Sequence, residues 1–81
     1  MYYCYILYST KLDKYYIGST GDLEGRLQQH NTSNQGFTST GKPWLMKYSE
    51  SFETKAEAMK RELQLKSWKN RAAIENMISS D

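Results

Sequence analysis

Tyr2-Tyr3-Cys4-Tyr5-Ile6-Leu7-Tyr8 is seven apolar or aromatic residues in a row, without glycine, proline or charge. Aromatic and branched side chains suit a pleated strand. A short unbroken apolar run between polar flanks describes a strand covered on both faces, and its aromatic content argues against a buried helix. In a chain of 81 residues such a strand must lie in the middle of the sheet. Its neighbours and its cover have to come from the rest of the chain.

Working outward, Lys11-Leu12-Asp13-Lys14 can turn, and Tyr15-Tyr16-Ile17-Gly18 follows as a second strand. Two apolar runs this close predict an antiparallel hairpin. Alternation puts Tyr3, Tyr5 and Leu7 on one face of the first strand, and Tyr16 and Gly18 on one face of the second. Glycine inside a strand signals a bend or a close approach to the backbone. Ser19-Thr20-Gly21-Asp22 predicts a helix start, with Thr20 as cap and Asp22 in the first turn, where the helix dipole favours an acid. Leu23 and Leu27 share the buried side of that helix, and Arg26 and His30 another side. Gly25 weakens it by roughly 1 kcal/mol relative to alanine, or permits close packing.

Residues 31–41 form a polar loop with Phe37 as its one large apolar anchor. Pro43 precedes a third strand, Trp44-Leu45-Met46-Lys47-Tyr48. Thr54 and Glu57 make a capping box that opens a helix over 55–68. Asn70 caps a last helix to Ile78, with Ala73, Ile74, Met77 and Ile78 as its apolar stripe. The order strand, strand, helix, strand, helix, helix predicts one α+β domain over 1–81, a three-stranded antiparallel sheet flanked by helices.

Cys4 is the only cysteine, which excludes an intramolecular disulfide and a cysteine-based zinc site within one chain. No window reaches the 18 or so apolar residues of a membrane span, and no basic leader precedes the first apolar run, so a cytoplasmic location without membrane contact is expected. The net charge of +2 says little, but between residues 42 and 71 eight basic residues face four acids. That balance is compatible with a polyanion partner, and equally with a solvated surface. The single histidine excludes a multi-histidine metal site. Any divalent ion would depend on oxygen ligands, which favours Mg²⁺ or Mn²⁺.

Five residues are candidates for chemistry. At 100° per residue, Ala58, Leu65, Met59 and Leu63 span one side of the second helix, and Glu62 falls inside that span. An acid directed at the interior needs a partner, a proton or a metal. Lys66, one turn on, is the ordinary partner; a functional carboxylate is the other reading. Arginine suits phosphate and histidine handles protons near neutral pH, so Arg26 and His30 form a second cluster. Tyr5 and Tyr16 on adjacent strands either pack across the hairpin or present phenols to a cleft. Tyr2, Tyr8, Phe52 and Trp68 are assigned to the core or its edge, and Trp44 to the core rather than to a base-stacking platform.

In this order the chain resembles the GIY-YIG nuclease family, in particular its small stand-alone bacterial members related to the N-terminal nuclease domain of the nucleotide-excision endonuclease. Tyr3-Cys4-Tyr5 corresponds to the first motif and Tyr16-Ile17-Gly18 to the second. Arg26, His30 and Asn31 follow, then Lys42-Pro43-Trp44, then Ala58-Met59-Lys60-Arg61-Glu62 with the helix glutamate. The resemblance implies cleavage of DNA phosphodiesters with one divalent metal, Mg²⁺ or Mn²⁺, in DNA repair or processing. It implies Tyr5, Tyr16, Arg26, His30 and Glu62 as the catalytic set, with Glu62 holding the metal. Tyr16, helped by His30 or bound water, would take the proton of the attacking water, with His30 itself as the alternative base, and Tyr5 would orient water or phosphate. Tyr3 replaces the first motif's glycine. Asn70 and Asn76 both compete for the family's late asparagine. With no further recognition domain in these residues, weak or structure-selective DNA binding is expected. A nucleic-acid-binding or protein-interaction module without catalysis is the alternative on the same fold.

Overall fold

A computed structural model describes residues 1–32, 40–68 and 70–79 of the chain. β1 (Tyr2–Ser9) is the central strand of an antiparallel sheet ordered β2-β1-β3, with β2 at Lys14–Thr20 and β3 at Trp44–Phe52. Among the described residues the helices are α1 (Leu23–Thr32), α2 (Lys55–Ser67) and α3 (Arg71–Ser79). The order and the central place of β1 are those expected from its apolar run. The Phe37 anchor lies outside the described residues.

β1 is covered on both faces, and Cys4, Tyr5, Ile6 and Leu7 are all buried. Cys4 and Ile6 pack with Leu65 of α2 and Ile74 of α3. Tyr5 and Leu7 face the other way and pack with Trp44, Tyr16, Leu23 and Leu27. Burial of the Cys4 thiol, and then the charges of Glu50 and Glu62, push its pKa up to about 11, so it is an inert core group at neutral pH.

β3 runs four residues beyond its expected end at Tyr48, pairing with β1 as far as Tyr2, and it carries a bulge. Ile6 pairs with Tyr48 but Leu7 pairs with Met46, which leaves Lys47 as the extra residue. A strand that keeps period 2 in sequence therefore changes faces once. Trp44 and Met46 join the Tyr5 side, whereas Tyr48 and Phe52 join the Ile6 side.

The helix starts follow from side-chain capping. The Thr54 hydroxyl accepts the Glu57 N–H at 3.2 Å and opens α2. The Asn70 carboxamide oxygen accepts the Ala72 N–H at 2.9 Å and opens α3. In α1 the cap is Asp22, not Thr20: Asp22 Oδ1 accepts the Gly25 N–H at 3.1 Å, while Thr20 Oγ1 accepts the Asp22 N–H. Gly25 leaves room for this carboxylate, which a Cβ there would push aside. Arg71 ties α3 back to the hairpin by donating to Asp13 Oδ1 at 2.6 Å.

Two core assignments change. Tyr2, at the first position of β1, is 37% exposed. On α2, Met59 and Leu63 are exposed, and the packed side is centred on Ala58 and Leu65 instead. No helix among the described residues is long and apolar enough to cross a membrane.

Candidate active site

The site is built on the pairing of Tyr5 with Gly18 across the hairpin. A Cβ at position 18 would lie 2.5 Å from Tyr5 Oη and 2.7 Å from its Cζ. Only glycine lets the Tyr5 ring lie across β2 in this way. The ring's hydroxyl then reaches His30 Nε2 of α1 at 3.2 Å. Tyr16, two residues before Gly18 and on the same face, packs edge-on against the imidazole, with ring centres 4.7 Å apart. Trp44 packs against both Tyr16 and His30.

His30 is 6% exposed and the only buried residue of α1. Seven residues after Leu23, it lies only about 20° from it around the helix axis. It thus belongs to the packed side of α1 rather than to a separate one with Arg26. Arg26 sits on the exposed flank, close enough for its charge to act on Tyr5, His30 and Glu62. Burial, and then the Arg26 charge, lower the His30 pKa and favour the neutral ring. Burial and the neighbouring Tyr16 push the Tyr5 phenol up to about 12, against the opposing pull of Arg26.

Asn31, which the sequence marked only as the end of a motif, fixes the end of α1. Its amide donates to the Trp44 carbonyl at 3.1 Å and accepts the Trp44 N–H at 2.5 Å. Both walls of the His30 pocket are thereby tied together.

Glu62 approaches from α2. It lies at the edge of the sheet-facing side, one turn after Ala58, with its side chain 20% exposed. Ser19, next to Gly18, donates to Glu62 Oε1 at 2.7 Å, and Lys66 Nζ donates to Oε2 at 2.6 Å. Burial opposes its charge, but the Lys66 and Ser19 hydrogen bonds and the Lys66 and Arg26 charges outweigh it and lower its pKa. Both readings of Glu62 thus meet in one side chain, since the expected Lys66 pair forms. The Ser19 contact carried no sequence signal beyond a hydroxyl following Tyr-Ile-Gly.

A hollow of about 220 Å³ opens between the starts of α1 and α2, lined by Ser19, Gly21, Arg26, Lys55 and the exposed Tyr2. Ser19 and Arg26 connect it to Glu62 and Tyr5. A larger, mostly apolar hollow of about 630 Å³ is lined by Trp68, Asn70, Ala73, Asn76 and Met77. It includes none of the five candidates, of which Arg26 alone lines the small hollow, and Asn70 and Asn76 line the large one instead. Among the described residues no cluster of three or more acids, histidines or cysteines could cage a metal.

An antiparallel α+β fold brings two strand phenols, a helix arginine and histidine, and a helix carboxylate towards one end of the sheet, and the class it falls in is that of a nuclease-type catalytic domain by family match. The family model of the GIY-YIG catalytic domain matches residues 1–76. The chain belongs to the GIY-YIG family. It is 35% identical over 68 residues to a UPF0213 protein of Staphylococcus haemolyticus, covering 83% of this chain and 82% of the relative. A UPF0213 protein of Staphylococcus saprophyticus is 38% identical over 69 residues, with the same shares. The solution NMR structure of a UPF0213 protein from Bacillus halodurans superposes with a TM-score of 0.62 at 27% identity, covering all of this chain and 86% of that one.

Proposed function

We propose that this chain is a divalent-metal-dependent endonuclease that hydrolyses DNA phosphodiester bonds, acting in DNA repair or processing. One observation carries the reading. The Tyr5 hydroxyl is bonded to a buried imidazole and lies within the electrostatic reach of both Arg26 and Glu62. Phenol, imidazole, guanidinium and carboxylate are the groups that phosphodiester hydrolysis needs to move a proton and offset charge.

Glu62 would hold the metal. Mg²⁺ and Mn²⁺ take hard oxygen ligands, and Mg²⁺ sites commonly combine one or two carboxylates with water and substrate phosphate, so a single carboxylate fits. Held there, the ion would supply Lewis-acid polarisation of the phosphate and stabilisation of developing negative charge. Arg26 meets the non-bridging oxygens with its rigid donor fork.

Tyr5 and His30 handle the proton. With a pKa near 12, the phenol is neutral at pH 7 and works as a relay. Its oxygen accepts the proton of the attacking water, while its own proton passes to His30 Nε2, the ring carrying its other proton on Nδ1. Tyr16 holds the imidazole from the side, and its hydroxyl is the second phenol available to orient the water. These roles reverse those expected of the two tyrosines, because the His30 hydrogen bond runs to Tyr5.

A binding module without catalysis is the competing reading, and one observation favours it: both Glu62 oxygens already have partners within the fold. Nicking of supercoiled plasmid and of branched DNA in Mg²⁺ or Mn²⁺ separates the two. Wild type should nick, and Glu62→Ala and Tyr5→Phe should each lose about 100-fold or more. Cutting that survives in both variants would place the activity elsewhere. DNA binding by the wild type without cutting would establish the module.

A further inference from the structure

The two partners of Glu62 differ in kind. Ser19 is a neutral hydroxyl on a short side chain anchored in β2, 2.7 Å from Oε1. Lys66 is a cation on a flexible stem, 49% exposed, 2.6 Å from Oε2. A hydroxyl and a metal ion can share a carboxylate, one oxygen each. An ammonium and a divalent ion sharing Oε2, one on each lone pair, would stand only about 4 Å apart and repel each other strongly at this half-buried position, so the ion binds well only once the ammonium has moved away.

An ordinary glutamate–lysine pair one turn apart leaves its carboxylate free to rotate into solvent. Glu62 is different: Ser19 grips it and the buried Ala58 and Leu65 flank it, so the carboxylate stays in place when Lys66 departs.

We propose that Lys66 is a resident cation that occupies the metal position on Glu62 until nucleic acid arrives. The free protein then binds a divalent ion weakly, because the ion must displace the ammonium. A bound strand offers Lys66 a phosphate in exchange and so tightens the ion. By linkage, the ion tightens the strand by the same factor. This inference rests on the reading of Glu62 as the metal ligand.

The test is Mn²⁺ binding to the full chain, followed through the electron paramagnetic resonance signal of free Mn²⁺, with no turnover involved. Lys66→Gln should bind Mn²⁺ about ten-fold tighter than wild type. Lys66→Arg, which keeps the charge, should stay within about two-fold of wild type. A saturating short single-stranded oligonucleotide, corrected for the Mn²⁺ it binds alone, should tighten Mn²⁺ on wild type and do so far less on Lys66→Gln. Lys66→Met keeps the aliphatic stem while removing the charge and should repeat the Lys66→Gln result, which separates loss of charge from disturbed packing. Glu62→Gln should abolish binding; if it does not, the metal reading itself fails. If Glu62→Gln abolishes binding while Lys66→Gln and Lys66→Met bind no tighter than wild type, the role of Lys66 alone is overturned. Absence of any oligonucleotide effect on wild type overturns the exchange.

Discussion

At the scale of single residues, the site depends on the atom that Gly18 lacks. In Gly18→Ala the new methyl would stand 2.5 Å from Tyr5 Oη. The buried ring could retreat only by giving up His30. The expected cost is about 1–3 kcal/mol of stability from overpacking, together with most of the nicking activity. A thermal melt and a nicking assay check both, and an unchanged melt would show that the ring is free to move. His30 gives a pH prediction. Its folded pKa lies below the ordinary 6.5, so the unfolded chain binds the proton more readily. The stability gained from the neutral ring is fully present above 6.5 and is lost as pH falls through the lower folded value. An NMR titration of this single histidine should give a midpoint below 6.5, and a midpoint at or above 6.5 would mean an open, solvated ring. The residue types of the site were legible in the sequence, including the close approach implied by a glycine inside a strand. Their pairing was not. Alternation assigns faces, but which polar atoms meet on a face depends on ring reach and helix placement, and so the partnership of His30 with Tyr5 emerges only in three dimensions.

At the scale of elements, capping chemistry made α2 and α3 readable, because Thr54 and Asn70 each precede an uninterrupted helical stretch. The start of α1 was ambiguous, since Thr20 and Asp22 are both capping types, and only the hydrogen bonds show that Asp22 takes the Gly25 N–H while Thr20 takes that of Asp22. The apolar stripe of α2 misled for a different reason. Met59 and Leu63 broaden the hydrophobic arc on a wheel, but a three-stranded sheet is too narrow to cover so wide an arc. The packed arc therefore contracts to Ala58 and Leu65, with Glu62 at its edge. The link between α1 and β3 is the element-level prediction. Asn31 supplies a donor and an acceptor to the Trp44 backbone, in place of a neighbouring strand. Asn31→Ala should cost about 1–3 kcal/mol by leaving those groups unpaired. Hydrogen exchange at the Trp44 amide should accelerate with it. Slow exchange in the variant would show that something other than Asn31 protects that bond.

At the scale of the whole molecule, the limits on DNA recognition follow from area and charge. The chain exposes 5283 Å². A single DNA-binding module covers about 600–1,000 Å², roughly a fifth or less of that surface. A net charge of +2 gives no broad attraction, so the proposed DNA binding would have to come from the cations around one hollow. Arg26 and Lys55 line it, and Lys66 pairs with Glu62, the carboxylate held by Ser19 of the lining. Each phosphate neutralised adds about 0.7–0.9 to the slope of log affinity against log salt. Three such cations predict a slope of about −2 to −3. Fluorescence anisotropy with Glu62→Gln, which keeps the hollow but should not cut, can measure it between about 50 and 200 mM salt. A slope of about −5 or steeper would require a basic surface far wider than the hollow. With few phosphates engaged, discrimination has to come from DNA that already presents a distorted or unpaired strand to Tyr2 and Arg26. Branched DNA should therefore bind more tightly than a linear duplex of the same length while showing the same slope, and equal affinity for the two would remove structure as the basis of selection.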